Sequence, residues 1–466
     1  MIFSSYVFLL VFLPLVWAAF LLCRATRRPG AALTVLLLGS AVFYLSWSGR
    51  DGVILLCSIL INYWLGRQLS RHRTRSWLAL AIGLNLALLV YFKYASFLFG
   101  FLPGAAHWQW VLPLGISFYT FQQIAWQVDL YRGRASSPGG LPRYALFVSF
   151  FPQLIAGPIV HAREIIPRLE RNWLGRPLGW QLGLVLLSVG LAKKVLLADT
   201  IAPGVEQLFG AQAAGRPLVA AEVLTAAFGY GLQLYFDFSG YGDMAVGLGL
   251  MMGFRLPTNF RVPYASTSIV HFWRRWHITL SHFLRDYLYI PLGGGRAGRW
   301  RRMRNLMVTM LLGGLWHGAG WQFLLWGGAH GALLVLANVW AQRGWRMPRA
   351  LGWALTLLAV MLLWIPFRAP TLEAALGMYA GLLDWRAFDP GSWRQALSEL
   401  AQLRVGATLP WLLPPLLAVA TLGPSSISAS LRLAAWQRGA VAAVLLTLVL
   451  KTLAERPDRA FLYFNF

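Results

Sequence analysis

Apolar runs of about 20 residues, each enough for a helix to cross roughly 30 Å of hydrocarbon, recur from the first residue nearly to the last. Short loops between them collect basic residues: RATRR at 24 to 28, SRHRTR at 70 to 75, YRGR at 131 to 134 and RAGRWRRMR at 296 to 304. Basic loops mark the cytoplasmic side. Threaded by that rule, residues 1 to 23 run inward, 31 to 48 outward, 52 to 69 inward, 76 to 101 outward and 113 to 130 inward. The opening segment lacks a basic start and a small-residue cleavage site, so it reads as a retained span.

Three stretches break the alternation. Residues 145 to 160, interrupted by Pro152, Gly157 and Pro158, have cytoplasmic loops on both sides. The same holds for 269 to 292, and for 306 to 341, which at 1.5 Å per residue is far longer than one crossing needs. A segment that begins and ends on one side is re-entrant, and its irregular backbone is tolerated only where protein or a wet cavity surrounds it. The last stretch reads as a helical hairpin bent at Gly313, Gly314, Gly318 and Gly320. Residues 178 to 198 exit, 220 to 253 return, 350 to 366 exit, 367 to 406 lie outside, 408 to 422 return and 437 to 454 exit. The expected fold is an all-α polytopic membrane protein, one domain over residues 1–466, with roughly ten to twelve crossings plus re-entrant pieces.

Composition agrees with the pattern. Of 466 residues, 58% are hydrophobic and 12% charged, against about a quarter charged in soluble domains, and mean hydropathy is +0.57. A formal charge of +25 invites a nucleic-acid partner. Its confinement to inter-helix loops points instead to membrane lipids or an anionic carrier. Cys23 and Cys57 have no spacing of a metal site or a disulfide framework.

Candidate chemistry lies in four places. His317, in LGGLWHGAGWQFLLWGGAHG (312 to 331), is an ionisable residue at membrane depth, a functional hypothesis by default. His330 follows in the same stretch and reads as structural. In HFWRRWHITLSHFLRDYLYIPLGGGR (271 to 296), a continuous helix would put His271 and His282 on one face and turn His277 elsewhere, so no metal site is expected. Asp286, four residues after His282, is placed to hydrogen-bond it. Arg274 and Arg275 either snorkel to the interface or hold the phosphates of an anionic donor. In LQLYFDFSGYGDMAVGLGLMMGF (232 to 254), Asp237, Ser239 and Asp243 suit a broken helix lining a polar cavity. The alternative for Asp237 is a structural salt bridge with Lys193, Lys194 or Arg275. Gln122, Gln123, Gln127 and Asp129 read as interhelical hydrogen-bonding groups.

LWHG at 315 to 318, HFWRRWHITLSHFLRDYLYIPLGG at 271 to 294, YFDFSGYGDMAVGLGLMMGF at 235 to 254, FPQLIAGPIVHAREIIPRL at 151 to 169 and FLYFNF at 461 to 466 resemble the membrane-bound O-acyltransferases. Within that family the chain is most similar to the bacterial alginate O-acetyltransferase branch, and more distantly to the D-alanyl transfer proteins of teichoic acid synthesis. Its stretch at 367 to 406 is shorter than the alginate enzymes carry, which bears on the acceptor. The resemblance implies a ring of helices around a thinned centre, with re-entrant helices forming a funnel. It also implies a catalytic role for His317 and a second functional histidine at His277. Trp316, Arg274, Arg275, Asp237 and Ser239 are expected as substrate-binding residues beside them.

The implied reaction moves an acetyl group from a cytoplasmic donor, acetyl-CoA, to a hydroxyl on the outer side of a bacterial inner membrane. The final acceptor is a polysaccharide such as alginate, reached directly or through a periplasmic partner protein; no bound cofactor or metal is expected. Other readings are D-alanyl or other acyl transfer to a cell-wall polymer, a polysaccharide or lipid transporter, and a scaffold that recruits a periplasmic transferase. A transporter should show alternating-access repeats and dispensable histidines. A scaffold should keep assembly without them.

Overall fold

The computed structural model describes residues 1–99, 111–135, 139–170, 173–296, 298–384, 391, 409–456 and 459–465. Most of the second half of the expected exterior stretch, 367 to 406, lies outside the described residues. Those described form helices and turns with no β-strand. Among the described residues, six helices are long and apolar enough to cross a membrane: Val7–Ala25, Gly49–His72, Arg75–Phe99, Trp321–Gln342, Arg349–Arg368 and Ala435–Glu455. A seventh counts if Leu409–Leu422 and Ser426–Arg432 are taken as one broken span. The protein is therefore an all-α, multi-pass membrane protein. Expected spans form shorter helices at Pro29–Leu45 of 17 residues, Ile116–Tyr131 of 16 and Trp180–Ala192 of 13, and Ala220–Met251 is not among the six, whereas Trp321–Gln342, expected as part of a re-entrant hairpin, is itself long enough to cross.

The chain over residues 1–466, taken above as one domain, forms two compact units. One comprises Met1–Ala192, Gly240–Thr258 and Ser426–Asn465; the other comprises Lys193–Ser239 and Asn259–Ser425.

In the first unit, residues 145 to 160 do not cross. Leu141–Ser149 is a helix of 9 residues, followed by turns over 150 to 157, an extended stretch and the helix Ala162–Glu170. Residues 150 to 162 are buried throughout, as a re-entrant segment requires. Side chains serve its irregular backbone: Gln122 Nε2 and Gln153 Nε2 donate to the Phe147 carbonyl at 2.8 and 2.7 Å, and Ser40 Oγ accepts from the Phe151 N–H at 3.1 Å. The other polar residues of Ile116–Tyr131 bind neighbouring helices, as expected. Gln123 Nε2 donates to Ser58 Oγ at 2.9 Å, and Gln127 Nε2 to the Asn62 carbonyl at 2.8 Å.

In the second unit, residues 299 to 342 form the expected hairpin, Arg299–His317 followed by Trp321–Gln342. Arg299, Arg301, Arg302 and Arg304 occupy the first turns of the first helix, where cations oppose the helix dipole. Local helix energetics therefore do not place them. The bend is narrower than expected. Gly313 and Gly314 are helical, and only residues 318 to 320 leave the helix. Gly318 (φ −163°) and Gly320 (φ −176°) have extended backbones that any residue adopts. Glycine is needed at 318 for space, because a Cβ there would lie 2.0 Å from the Phe323 ring. Gly314 and Gly327 bring the two helices into backbone contact: a Cβ on Gly314 would meet the Phe323 carbonyl at 2.3 Å, and one on Gly327 the Met310 carbonyl at 2.4 Å. Small residues facing each other in this way are how helices pack closely in lipid, where no hydrophobic force drives association.

Two expectations fail on local geometry. Residues 269 to 292 are not one helix. Ile269–Trp273 ends, residues 274 to 277 turn, and Ile278–Leu284 begins, with His277 left-handed at φ 42°. The break turns His277 inward, so it is fully buried while His271 is exposed. Asp286 takes a two-pronged pair from Arg285, 2.7 and 3.1 Å. Nor is the Asp237 region broken, since Ala220–Met251 is one helix of 32 residues. Its interior glycines serve close packing instead; a Cβ on Gly231 would lie 2.4 Å from the Met361 sulfur.

Candidate functional site

His317 is the last residue of its helix and is 4% exposed. Three aromatic rings stand edge-on around its imidazole: Trp316 at 4.8 Å, Phe367 at 5.0 Å and Trp326 at 5.1 Å between centroids. The bend at 318 to 320 places Trp326 there, because the returning helix brings it back alongside the end of the first. Phe367 comes from Arg349–Arg368. The result is an ionisable group inside an aromatic enclosure, where water competes weakly for its nitrogens. A hydroxyl proton can be taken and returned in such a place.

His277 approaches the same enclosure from the other side of Trp316, with ring centroids 6.4 Å apart, and Phe238 stands edge-on to it at 4.8 Å. Its left-handed backbone is unusual for a residue other than glycine and persists only where surroundings over-determine it. Asn259 supplies that determination. Its Oδ1 accepts from the Thr279 N–H at 3.1 Å and the Thr279 hydroxyl at 2.9 Å, while its carbonyl accepts from the Ile278 N–H at 3.0 Å. A backbone N–H only donates, so the atom facing it is the amide oxygen, and His277 Nδ1, 3.3 Å from that oxygen, carries a proton. In the neutral ring this leaves Nε2 as the basic nitrogen.

The remaining candidates separate into two groups. Arg274 lines a cavity of about 460 Å³ together with Arg285, Arg302, His282, Tyr289 and Asn338, among others. Arg302 is held there by Asn338. Trp273, Thr309 and Met310 also line it, so it runs alongside the helix that ends at His317. Arg275 contributes its backbone carbonyl to the Arg261 N–H at 3.0 Å. Asp237 forms the expected salt bridge: Lys194 Nζ lies 2.7 Å from its Oδ1 and 2.9 Å from Asp199. Lys193 donates to Ser239 Oγ at 3.3 Å. Trp316 is therefore the candidate contact residue that adjoins both histidines, whereas Asp237 and Ser239 are engaged by lysines.

Sequence reasoning missed Asn259, Trp326 and Phe367. Asn259 lies 18 residues before His277 with no motif linking them, and the aromatics were indistinguishable from the many that simply face lipid.

The sequence model of the membrane-bound O-acyltransferase family matches residues 131–364, which contain both histidines and the basic cavity. The chain belongs to the membrane-bound O-acyltransferase family and is an acyl-transferring enzyme. Among individual proteins it is 42% identical over 413 residues to the probable alginate O-acetylase AlgI of Azotobacter vinelandii, covering 84% of this chain and 80% of that one. It is 39% identical over 425 residues to the peptidoglycan O-acetyltransferase of Helicobacter pylori, covering 82% and 80%. Similarity to the teichoic acid D-alanyltransferase of Bacillus subtilis is 28% over 234 residues, covering 48% and 58%.

Proposed function

We propose that this enzyme moves an acetyl group from acetyl-CoA on the cytoplasmic side of a bacterial inner membrane to a hydroxyl of an extracytoplasmic polysaccharide, directly or through a periplasmic partner protein. The observation that carries the reading is His317, enclosed by Trp316, Trp326 and Phe367 at the end of a helix whose other end bears the arginine block. The basic cavity beside that helix suits the phosphates of the donor, since guanidinium groups bind phosphate oxygens in pairs.

His317 takes the proton of the acceptor hydroxyl as its oxygen attacks the thioester carbonyl. The new C–O bond forms, the C–S bond breaks, and the proton passes from the imidazolium to the departing sulfur, which leaves as the thiol. His277, with Nδ1 committed to Asn259, orients the reacting groups across Trp316. The two O-acetylating relatives support acetyl as the group and a cell-envelope glycan as the acceptor. Transfer of D-alanyl is the second reading, favoured by the resemblance to the Bacillus subtilis protein over about half the chain.

The test is His317→Gln, expressed in a strain deleted for the enzyme, with ester content of the envelope glycans read by mass spectrometry. Acetyl esters should vanish while the variant accumulates in the membrane at the wild-type level. Acetylation at the wild-type level in H317Q would remove His317 from the reaction, and D-alanyl esters in the wild type would favour the second reading.

A further inference from the structure

Trp273, Trp326 and His330 carry four ring nitrogens that neither the fold nor the proposed reaction employs. Trp273 is 9% exposed, Trp326 1% and His330 0%. Their rings meet edge to face, with centroids 4.7 Å apart for His330 and Trp326, 5.2 Å for His330 and Trp273, and 5.8 Å for Trp273 and Trp326. Among the described residues neither indole N–H has a hydrogen-bond partner, and neither does Nδ1 or Nε2 of His330. Buried polar atoms are nearly always paired, so an orphaned cluster calls for an explanation. Crowding alone does not provide one. Trp364, packed 5.9 Å from Trp326, donates its indole N–H to the Tyr264 hydroxyl at 3.2 Å, and that hydroxyl donates onward to the Gly231 carbonyl at 2.6 Å.

The cluster's position is informative. Trp273 forms part of the wall of the arginine cavity, and so does Leu334, one turn beyond His330 on its helix. On its other side Trp326 stands against His317. A path from the cavity to His317 therefore passes these three side chains. Their chemistry is equally selective. Two indoles donate, and a neutral imidazole donates once and accepts once. An anion fits such a neutral aromatic wall poorly, and a plain alkyl chain would leave all four nitrogens unpaired. A linear arm bearing amides and a carbonyl satisfies both donors and acceptor.

We propose that Trp273, Trp326 and His330 form a subsite for the amide-bearing arm and thioester carbonyl of the acyl donor. The proposal rests on the reading of His317 as the centre of acyl transfer from a thioester. Arg274, Arg285 and Arg302 hold the charged end in the cavity, and the arm threads past His330 toward His317. His330 is then a donor-binding residue, in place of the purely structural role its sequence context suggests.

The experiment uses the purified full-length enzyme with three donors: acetyl-CoA, S-acetylpantetheine, which keeps the arm without phosphates, and S-phenyl thioacetate, which has no amide. His330→Phe should raise KM for the two amide-bearing donors about fivefold to tenfold, the worth of one or two hydrogen bonds. Its KM penalty with the phenyl thioester should be several times smaller, and His330→Gln should recover part of the loss. Trp273→Phe keeps an aromatic ring, removes one N–H and should show the same donor pattern, so the test survives even if H330F does not fold. Equal KM penalties for all three donors, or a fall confined to kcat, would overturn the subsite and return His330 to packing. Wild-type enzyme that transfers from none of the three thioesters would remove the reading of the reaction, and the subsite with it.

Discussion

The helices Ile116–Tyr131 and Trp321–Gln342 both bury polar side chains in apolar surroundings, and they are held to their neighbours by different means. In the first, the side-chain amides of Gln122, Gln123 and Gln127 each donate to a neighbouring element at 2.8 to 2.9 Å. Those bonds are adhesive between helices that gain nothing hydrophobic by leaving lipid. In the second, His330 and the indole of Trp326 have no such partner among the described residues. Their helix is held to its neighbour by Gly314 and Gly327 in backbone contact. The first helix too has an indole, that of Trp126, and the hydroxyls of Tyr119 and Thr120 without a partner among the described residues, so the contrast lies in what holds the helix: side-chain amides in one, glycine contact in the other.

Breaking the comparison at its most reactive point should give the largest effect. His317→Gln should lower acetyl transfer by about 10²- to 10⁴-fold, the range of general acid–base contributions, with no fall in the melting temperature of the detergent-solubilised protein. Gly314→Leu attacks the glycine contact. A side chain there runs into the Phe323 carbonyl and the Gly327 backbone, so a stability loss of at least about 1–3 kcal/mol is expected. Thermal unfolding and activity should fall together, unlike in H317Q. Asn259→Ala removes the acceptor shared by Thr279 and His277, costing about 1–3 kcal/mol. Asn259→Asp keeps the acceptor oxygen, and a measurement of kcat should find it closer to the wild type. The smallest effect belongs to the adhesive helix: Gln127→Leu should cost about 0.6 kcal/mol and leave acetyl transfer unchanged. A drop in kcat for Q127L at wild-type stability would mean that this helix is more than adhesive.

Particular residues show how far the sequence could be read. His317 was legible because a histidine is expensive at membrane depth and because glycines flank it. The hairpin was legible because basic loops bracket a stretch too long for one crossing. The reason for its glycines was not legible, since composition cannot distinguish a bend that needs unusual dihedrals from one that needs room for the Phe323 ring. His277 was misplaced for a related reason. Helical spacing assumes a helix, and the turn over 274 to 277 is imposed by Asn259 from outside the segment. The Asp237 pattern looked broken because glycines cluster around it, yet flanking packing holds Ala220–Met251 as one helix.

The sequence by itself determined the apolar solvent and the all-helical class, because hydropathy acts residue by residue along the chain. Family membership was legible for the same reason, being carried by contiguous motifs. Tertiary structure decided which polar groups are spent and which are kept. Lys194 takes Asp237, Asn259 fixes the proton of His277, and Trp326 stands between His317 and His330. Those outcomes depend on side chains that are distant in sequence and meet only when the chain has folded.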